Sequence, residues 1–223
     1  MPRTTGARIL AETLKGYGVT SVFFVPGIIN TALAEMDKLG IERVLTHSEK
    51  AAAYMADGYA RASHRVGVCI AQSVGAANLA AGLQDAYLGL SPVVAITGHR
   101  PPSHMHRNSY QEIDHIPLYE PVTKFNVNVD NVEQLPRLLR QAFREASSGA
   151  PGPVHVDFQG ISGDDIVGQE TDQEPVFDAQ FGSYPPFRPE PDAESVREAA
   201  QVIGDYQRPV IVAGGGVTAT ITG

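Results

Sequence analysis

The chain has no tryptophan and a single cysteine, Cys69, in 223 residues. One cysteine excludes a disulfide framework within the chain, and its place inside the apolar run VGVCIA marks a buried structural thiol before a nucleophile. Basic residues are scarce as well: 17 lysines and arginines against 25 acids give a formal charge of −8. Phosphate contacts demand a basic face, so nucleic acid is excluded as a primary partner. No apolar run approaches the about 20 residues needed to span a bilayer. The N-terminal MPRTTGARILAETLKGYG reads as an amphipathic helix and lacks the apolar core of a signal peptide. What these absences leave is a cytoplasmic protein that handles small molecules, with no membrane partner.

What is present is enough to build a core, since 43% of the chain is hydrophobic and only 19% charged. Helical and strand-like patterns alternate along it. Helices are expected over residues 6–17, 29–39, 49–62, 74–88 and about 132–147, and strands over 21–25, 42–46, 66–71, 92–97, 122–129 and 153–157. Apolar strands separated by single helices imply a parallel sheet covered on both faces, a doubly wound α/β fold. Ligands of such folds sit at the carboxyl ends of the strands. That rule selects Pro26-Gly27, residues 47–49, residues 72–75, and Gly98 onward.

Residues 1–158 are therefore expected as one α/β domain. Residues 159–191, rich in Gly, Pro and acids and without periodicity, read as a linker. A helix at 192–206, a strand RPVIVA at 208–213 and GGG at 214–216 read as the beginning of a second, truncated α/β domain.

One stretch at the sheet edge, HSEKAAAYMADGYAR (47–61), places a carboxylate at the mouth of an alanine-rich helix. Thr46 and Glu49 fit a capping box, and a first-turn acid is favoured by the helix dipole. A functional carboxylate is the other reading, and the position of Glu49 just after a strand supports it.

Several pieces together resemble the thiamine diphosphate-dependent enzymes of the acetolactate synthase and pyruvate oxidase type. They are YGVTSVFFVPG (17–27), HSEKAAAYMADGYAR, NLAAGLQDAY (78–87), PVVAITG (92–98), YQEID (110–114), PGPVHVD (151–157) and RPVIVAGGGV (208–217). The resemblance implies that Glu49 contacts N1′ of the cofactor's aminopyrimidine ring and promotes loss of the C2 proton of the thiazolium. Such a role needs a carboxylate in a mostly apolar pocket. It further implies that Pro26 and Gly27 lie against the pyrimidine, that Ser73 and Asn78 stand near the cofactor, and that Gln111 faces the reacting centre. Each has a plainer alternative: a strand-ending turn for Pro26-Gly27, a first-turn polar residue for Asn78, a solvated loop residue for Gln111.

The chain departs from the family pattern in places. Pro26-Gly27-Ile28 replaces Pro-Gly-Gly, residues 72–76 form a loop one residue shorter, and Ser48 intervenes between His47 and Glu49. These changes leave the particular reaction open among decarboxylases, lyases and acyl-group transferases acting on a 2-oxo acid or related carbonyl substrate. His99, His104, His106 and His115 lie in an irregular segment broken by prolines, so no metal site is assigned to them; Arg100 and Arg107 are either carboxylate ligands or a solvated patch. The family's Gly-Asp-Gly motif for Mg²⁺ and diphosphate does not occur; GISGDD (160–165) is nearest. The resemblance thus implies thiamine diphosphate with Mg²⁺ held partly by another domain, a homo-oligomer with its site at a subunit interface, and FAD as an open question. A split-enzyme subunit and a non-catalytic binding module of the same fold are the alternatives.

Overall fold

The computed structural model describes residues 3–218 and divides into two units, 1–186 and 187–223. The first unit holds β1 (Thr4–Thr5), α1 (Gly6–Gly16), β2 (Ser21–Phe24), α2 (Asn30–Lys38), β3 (Glu42–Leu45), α3 (Glu49–Ser63), β4 (Gly67–Gln72) and α4 (Gly75–Leu88). It continues with β5 (Val93–His99), α5 (His115–Tyr119), β6 (Phe125–Val129), α6 (Leu135–Ser147), β7 (Val154–Gln159), α7 (Asp164–Val167) and β8 (Glu170–Thr171). Six strands form one sheet in the order β3-β2-β4-β5-β7-β6, and each neighbouring pair is parallel. This is the expected α/β fold with helices on both faces. The chain leaves β2 toward β3 and returns to β4 on the other side of β2. A crevice therefore opens between the carboxyl ends of β2 and β4.

Strand side chains alternate between faces, and the two faces differ in kind. Val68, Ile70, Val94, Ile96, Val154, Val156 and Phe158 pack with α1, α2 and α6 in a core of large side chains. Phe23, Cys69, Ala71, Val93 and Ala95 face α3 and α4, where Ala52, Ala53, Ala56, Ala76, Leu79, Ala80 and Leu83 meet them. The expected thiol role of Cys69 agrees with its full burial, which raises its pKa. Small residues let α3 and α4 approach until side chains are nearly excluded. A Cβ on Gly82 would stand 2.7 Å from Ala53 Cβ and 2.9 Å from the Lys50 carbonyl oxygen.

The expected linker at 159–191 is corrected as far as Pro186. Ile166 and Val167 are fully buried in the first core, and Thr4 pairs with Thr171 in a two-stranded sheet. Further on, Phe181 is buried, and Tyr184 Oη donates to the Ala60 carbonyl. Four apolar anchors spread between residues 166 and 184 leave no periodicity to read, yet they suffice to fix the segment. In the second unit, α8 (Ala193–Gly204) follows an Asp192 cap, and α9 spans Gly215–Thr218. The strand expected at 208–213 does not form, and Val210, Ile211 and Val212 are exposed. A β-branched run with no neighbour to share its ladder has nothing to make it a strand.

Gly82→Ala should destabilise the first unit. Overpacking costs about 1–3 kcal/mol and outweighs the about 1 kcal/mol that alanine gains over glycine in a helix, because neither facing atom can swing aside. The urea midpoint should fall at unchanged slope; an unchanged or higher midpoint would show that the two helices are not in hard contact.

Candidate active site

Glu49 opens α3, and the structure corrects the expected capping box. Ser48 is the cap, accepting from Ala51 N at 3.2 Å, while Thr46 Oγ1 donates to the Phe24 and Ser48 carbonyls. Glu49 is then the first helical residue, two positions too early to reach back to the cap. Its carboxylate remains in the first turn, where the dipole favours it, but is free to point elsewhere. It points at α4: Asn78 Nδ2 donates to Oε2 at 3.2 Å. Gly75 brings the backbone of α4 against the same side chain, and a Cβ there would lie 2.7 Å from Oε1. The acid is half-buried at the start of a helix whose Ala52 and Ala53, with Ala76 of α4, are fully buried.

Across the switch point, Gly27 adopts φ +110°, a conformation that L side chains rarely take. A Cβ there would meet Gln72 Oε1 at 3.1 Å. Ile28, which replaces the family's second glycine, has no positive φ and is fully buried, so the turn needs only the one glycine. Pro26 is exposed beside it. Glu49, Asn78, Gly27 and Gln72 thus gather around the ends of β2 and β4.

A second group forms around β5 and β7. Ser73 is buried; its hydroxyl donates to the Gln111 carbonyl. Gln111 has φ +57°, and its side-chain Oε1 is buried without a hydrogen-bond partner. No contact joins Gln111 to Glu49 directly; the link between the groups is the short backbone from Ser73 to Gly75.

The structure also reveals polar chemistry that periodicity alone had left unassigned. On the face that carries α3 and α4, the sheet turns from apolar to polar as it crosses from β4 to β6. Thr97, His155, Asp157 and Asn126 share that face under α5. Thr97 Oγ1 lies 2.6 Å from Asp157 Oδ1 and 2.6 Å from His155 Nε2, two acceptors that share its one proton. His155 Nδ1 donates to Asn126 Oδ1 at 2.7 Å, and its ring stacks on Tyr119 at 3.6 Å. Asp157 Oδ2 accepts from His115 Nδ1 at 3.0 Å and stands 3.2 Å from His99 Nδ1, which lacks hydrogen-bond alignment. The strict alternation in FNVNV and VHVDF was the available signal, because every second residue of both strands is polar.

The expected histidine group is thereby divided. His99 and His115 are buried on Asp157, whereas His104 and His106 are exposed. Among the described residues, His115, His155 and Asp157 offer possible metal-ligand atoms within 4.8 Å of one another. Hydrogen bonds to Thr97, Asn126 and the Ser73 carbonyl already occupy those atoms. Arg100 donates to the Tyr110 carbonyl, and Glu112 accepts from the backbone N–H groups of His106, Arg107 and Ser109, which lower its pKa. The loop is ordered on itself. Beside it, His99, Arg100, Asn128, Asp130 and Asp157 line a cavity of about 260 Å³.

Residues 4–118 match the family described as thiamine pyrophosphate enzyme, N-terminal TPP binding domain. The chain belongs to the thiamine pyrophosphate enzymes. It is similar to a probable acetolactate synthase large subunit of Methanocaldococcus jannaschii, 38% identical over 95% of this chain and 36% of the relative. It is also similar to acetolactate synthase isozyme 2 large subunit of Escherichia coli, 40% identical over 95% of this chain and 37% of the relative. Acetolactate synthase 1 of Oryza sativa, described as chloroplastic, is 40% identical over 96% of this chain and 33% of the relative. The chain therefore spans about a third of the length of the curated relatives it matches. No helix among the described residues is long and apolar enough to cross a membrane.

The buried charges make stability depend on pH. Burial pushes His155 down to about 3, the nearby carboxylate of Asp157 opposing only in part. Its folded pKa lies below the about 6.5 of an unfolded histidine, so the unfolded chain gains a proton that the fold refuses. Stability is full above about pH 6.5 and is lost as pH falls toward 3. Asp157 reinforces the acid loss: burial raises its pKa, but the hydrogen bond from His115 and the neighbouring His99 outweigh burial and hold it well below the usual carboxylate range. His99 acts on the alkaline side. Burial lowers its pKa, yet Asp157, Asp130 and Asp114 raise it overall, so its contribution is present below about pH 6.5 and lost as pH rises. Urea midpoints should drop from pH 6.5 to 4, and His155→Gln should flatten that slope; a wild-type profile that is already flat would contradict a neutral buried His155.

Proposed function

We propose that this chain forms the aminopyrimidine-binding half of a thiamine diphosphate site in an enzyme of acetolactate synthase type, which makes or breaks a bond next to the carbonyl of a 2-oxo acid. The observation that carries the reading is Glu49: an acid released from capping, held by Asn78 and Gly75, at the switch point of a parallel sheet. The residues present suit the group. A half-buried carboxylate at the start of an alanine-rich helix can receive the N1′ edge of a flat ring. The positive-φ turn at Gly27 leaves bare backbone for the ring to lie against, and the buried, unpartnered Oε1 of Gln111 is an acceptor available to a bound molecule. When bound, thiamine diphosphate supplies an electron sink for the carbanion that develops beside the carbonyl carbon.

This chain's own part is proton handling and orientation. Glu49 holds a proton at N1′ and so biases the ring toward the form that can take the C2 proton. Asn78 fixes the Glu49 carboxylate by donating to the oxygen turned away from the ring. Gln111, facing the reacting centre, orients the substrate. The Mg²⁺ and diphosphate ligands, for which no Gly-Asp-Gly exists in these 223 residues, belong in this reading to a further domain. A second subunit of a homo-oligomer would cover Glu49 and complete its desolvation. That arrangement fits the apolar side chains exposed on α3 and α4, Tyr54, Met55, Tyr87 and Leu88. A non-catalytic module has no use for an acid held between Asn78 and Gly75.

In the complete enzyme, Glu49→Gln should slow C2 proton exchange of bound cofactor by about 100-fold or more, with folding unchanged. Exchange at the wild-type rate would return Glu49 to a purely helix-starting role.

A further inference from the structure

His115 is fully buried, and both of its ring nitrogens have partners that can only accept. Nδ1 lies 3.0 Å from the Asp157 carboxylate and Nε2 lies 2.9 Å from the Ser73 carbonyl oxygen. A neutral imidazole donates from one nitrogen only, so the ring that satisfies both contacts is the imidazolium, paired with Asp157. It spans from the middle of the sheet, on β7, to the loop after β4. No water is needed to complete either bond.

Ser73 is held at two points. Its carbonyl receives His115, and its hydroxyl donates to the backbone carbonyl of Gln111. Gln111 needs such a hold, because φ +57° is unfavourable for a residue with a Cβ and such strain persists only where the surroundings over-determine it. His115 itself starts α5 four residues later, behind the Asp114 cap. The segment 111–115 is thus pinned at both ends to the same residue of the β4 loop.

We propose that His115 is a positioning residue for the site: by bridging Asp157 and the Ser73 carbonyl, it fixes the Ser73–Gln111 pairing and thereby the place from which Gln111 meets the substrate. The role rests on the thiamine diphosphate reading given above. It is separate from Glu49, whose carboxylate is held independently by Asn78. The groups facing the His115 ring are Asp157 and His155 from β7, His99 from β5, and Tyr119 and Asp114 from its own segment. Among the described residues, only Asp157 and the Ser73 carbonyl bond to the ring.

The test uses the full-length protein with ¹⁵N-labelled histidine and two variants. Ring ¹⁵N signals of His115, assigned by their loss in His115→Gln, should show both nitrogens protonated. His115→Gln cannot reach both partners and should lower kcat toward a 2-oxo acid by up to about 100-fold, the scale of a misplacement near 1 Å. C2 proton exchange should stay within about twofold, since Glu49 keeps its tether. Ser73→Ala preserves the carbonyl that His115 holds but removes the hydroxyl to Gln111. It should reproduce the split between kcat and exchange with a smaller fall in unfolding midpoint than His115→Gln, even if His115→Gln folds poorly. A ring with one unprotonated nitrogen, or a Ser73→Ala enzyme with wild-type kcat, would overturn the proposal. So would parallel losses of kcat, exchange and unfolding midpoint in both variants, which would make the bridge merely structural. A wild-type protein with a doubly protonated His115 and no C2 exchange at all would overturn the functional reading, and the proposal with it.

Discussion

The approach of α4 to α3 is the constraint from which both the fold and the site follow. The two helices lie so close that Gly82 has no room for a methyl group against Ala53 and the Lys50 carbonyl. At the other end of the same helix, Gly75 has no room for one against Glu49. One packing decision therefore does two things. It closes the small-residue face of the sheet, and it puts the backbone of α4 beside the carboxylate with Asn78 one turn on. Had α4 stood farther off, as larger residues would require, Glu49 would be an exposed acid at a helix start with no partner. The alanine run in α3 is thus as much a part of the site as the acid it carries.

The opposite half of the sheet solves a different problem. Burying Asp157 is costly unless its charge is matched and its oxygens are bonded. Thr97 and His115 bond to it and His99 stands beside it, one side chain from β5 below, one from α5 above and one at the strand end. A Leu or Val in place of Asp157 would be simpler for stability. The carboxylate instead gives α5 a reason to dock at one place and in one orientation, and docking α5 fixes the irregular loop before it. That loop carries Gln111. A rigid polar anchor under a strained loop is a more exacting support than an apolar contact, because hydrogen bonds fix direction as well as distance.

Much of this was legible in the residues. The order of helices and strands, the parallel sheet and the cluster of loops at its carboxyl edge follow from apolar periodicity. Glu49, Asn78, Ser73 and Gly27 come from the resemblance to the family, and all four lie at or just after the carboxyl ends of β2, β3 and β4. The helix start was misread because Thr46 and Ser48 are both capping residues two positions apart, and only backbone geometry decides between them. The first unit extends past 158 because a few buried side chains, Ile166, Val167 and Phe181, hold a segment that has no pattern of its own. The expected strand at 208–213 fails for the opposite reason: its β-propensity is clear, and it has no ladder to join. The bridge from Asp157 through His115 to Ser73 joins residues 42 apart in each step. No local rule could pair them, although the polar alternation in β6 and β7 marked where to look.

The two halves of the site are anchored separately, and this bears on how the chemistry could diverge within the family. Glu49 is fixed by contacts between α3 and α4 alone, whereas Gln111 hangs from the sheet through His115. On the proposed function, changes in the loop from residue 99 to 115 would alter what the substrate meets without moving Glu49. The departures from the family pattern fall accordingly. Ile28 and Ser48 are absorbed by the fold, one as a buried side chain and one as the cap of α3, and neither disturbs Glu49. Under the proposed function, activation of the cofactor and choice of the carbonyl compound would be separable properties of one sheet edge.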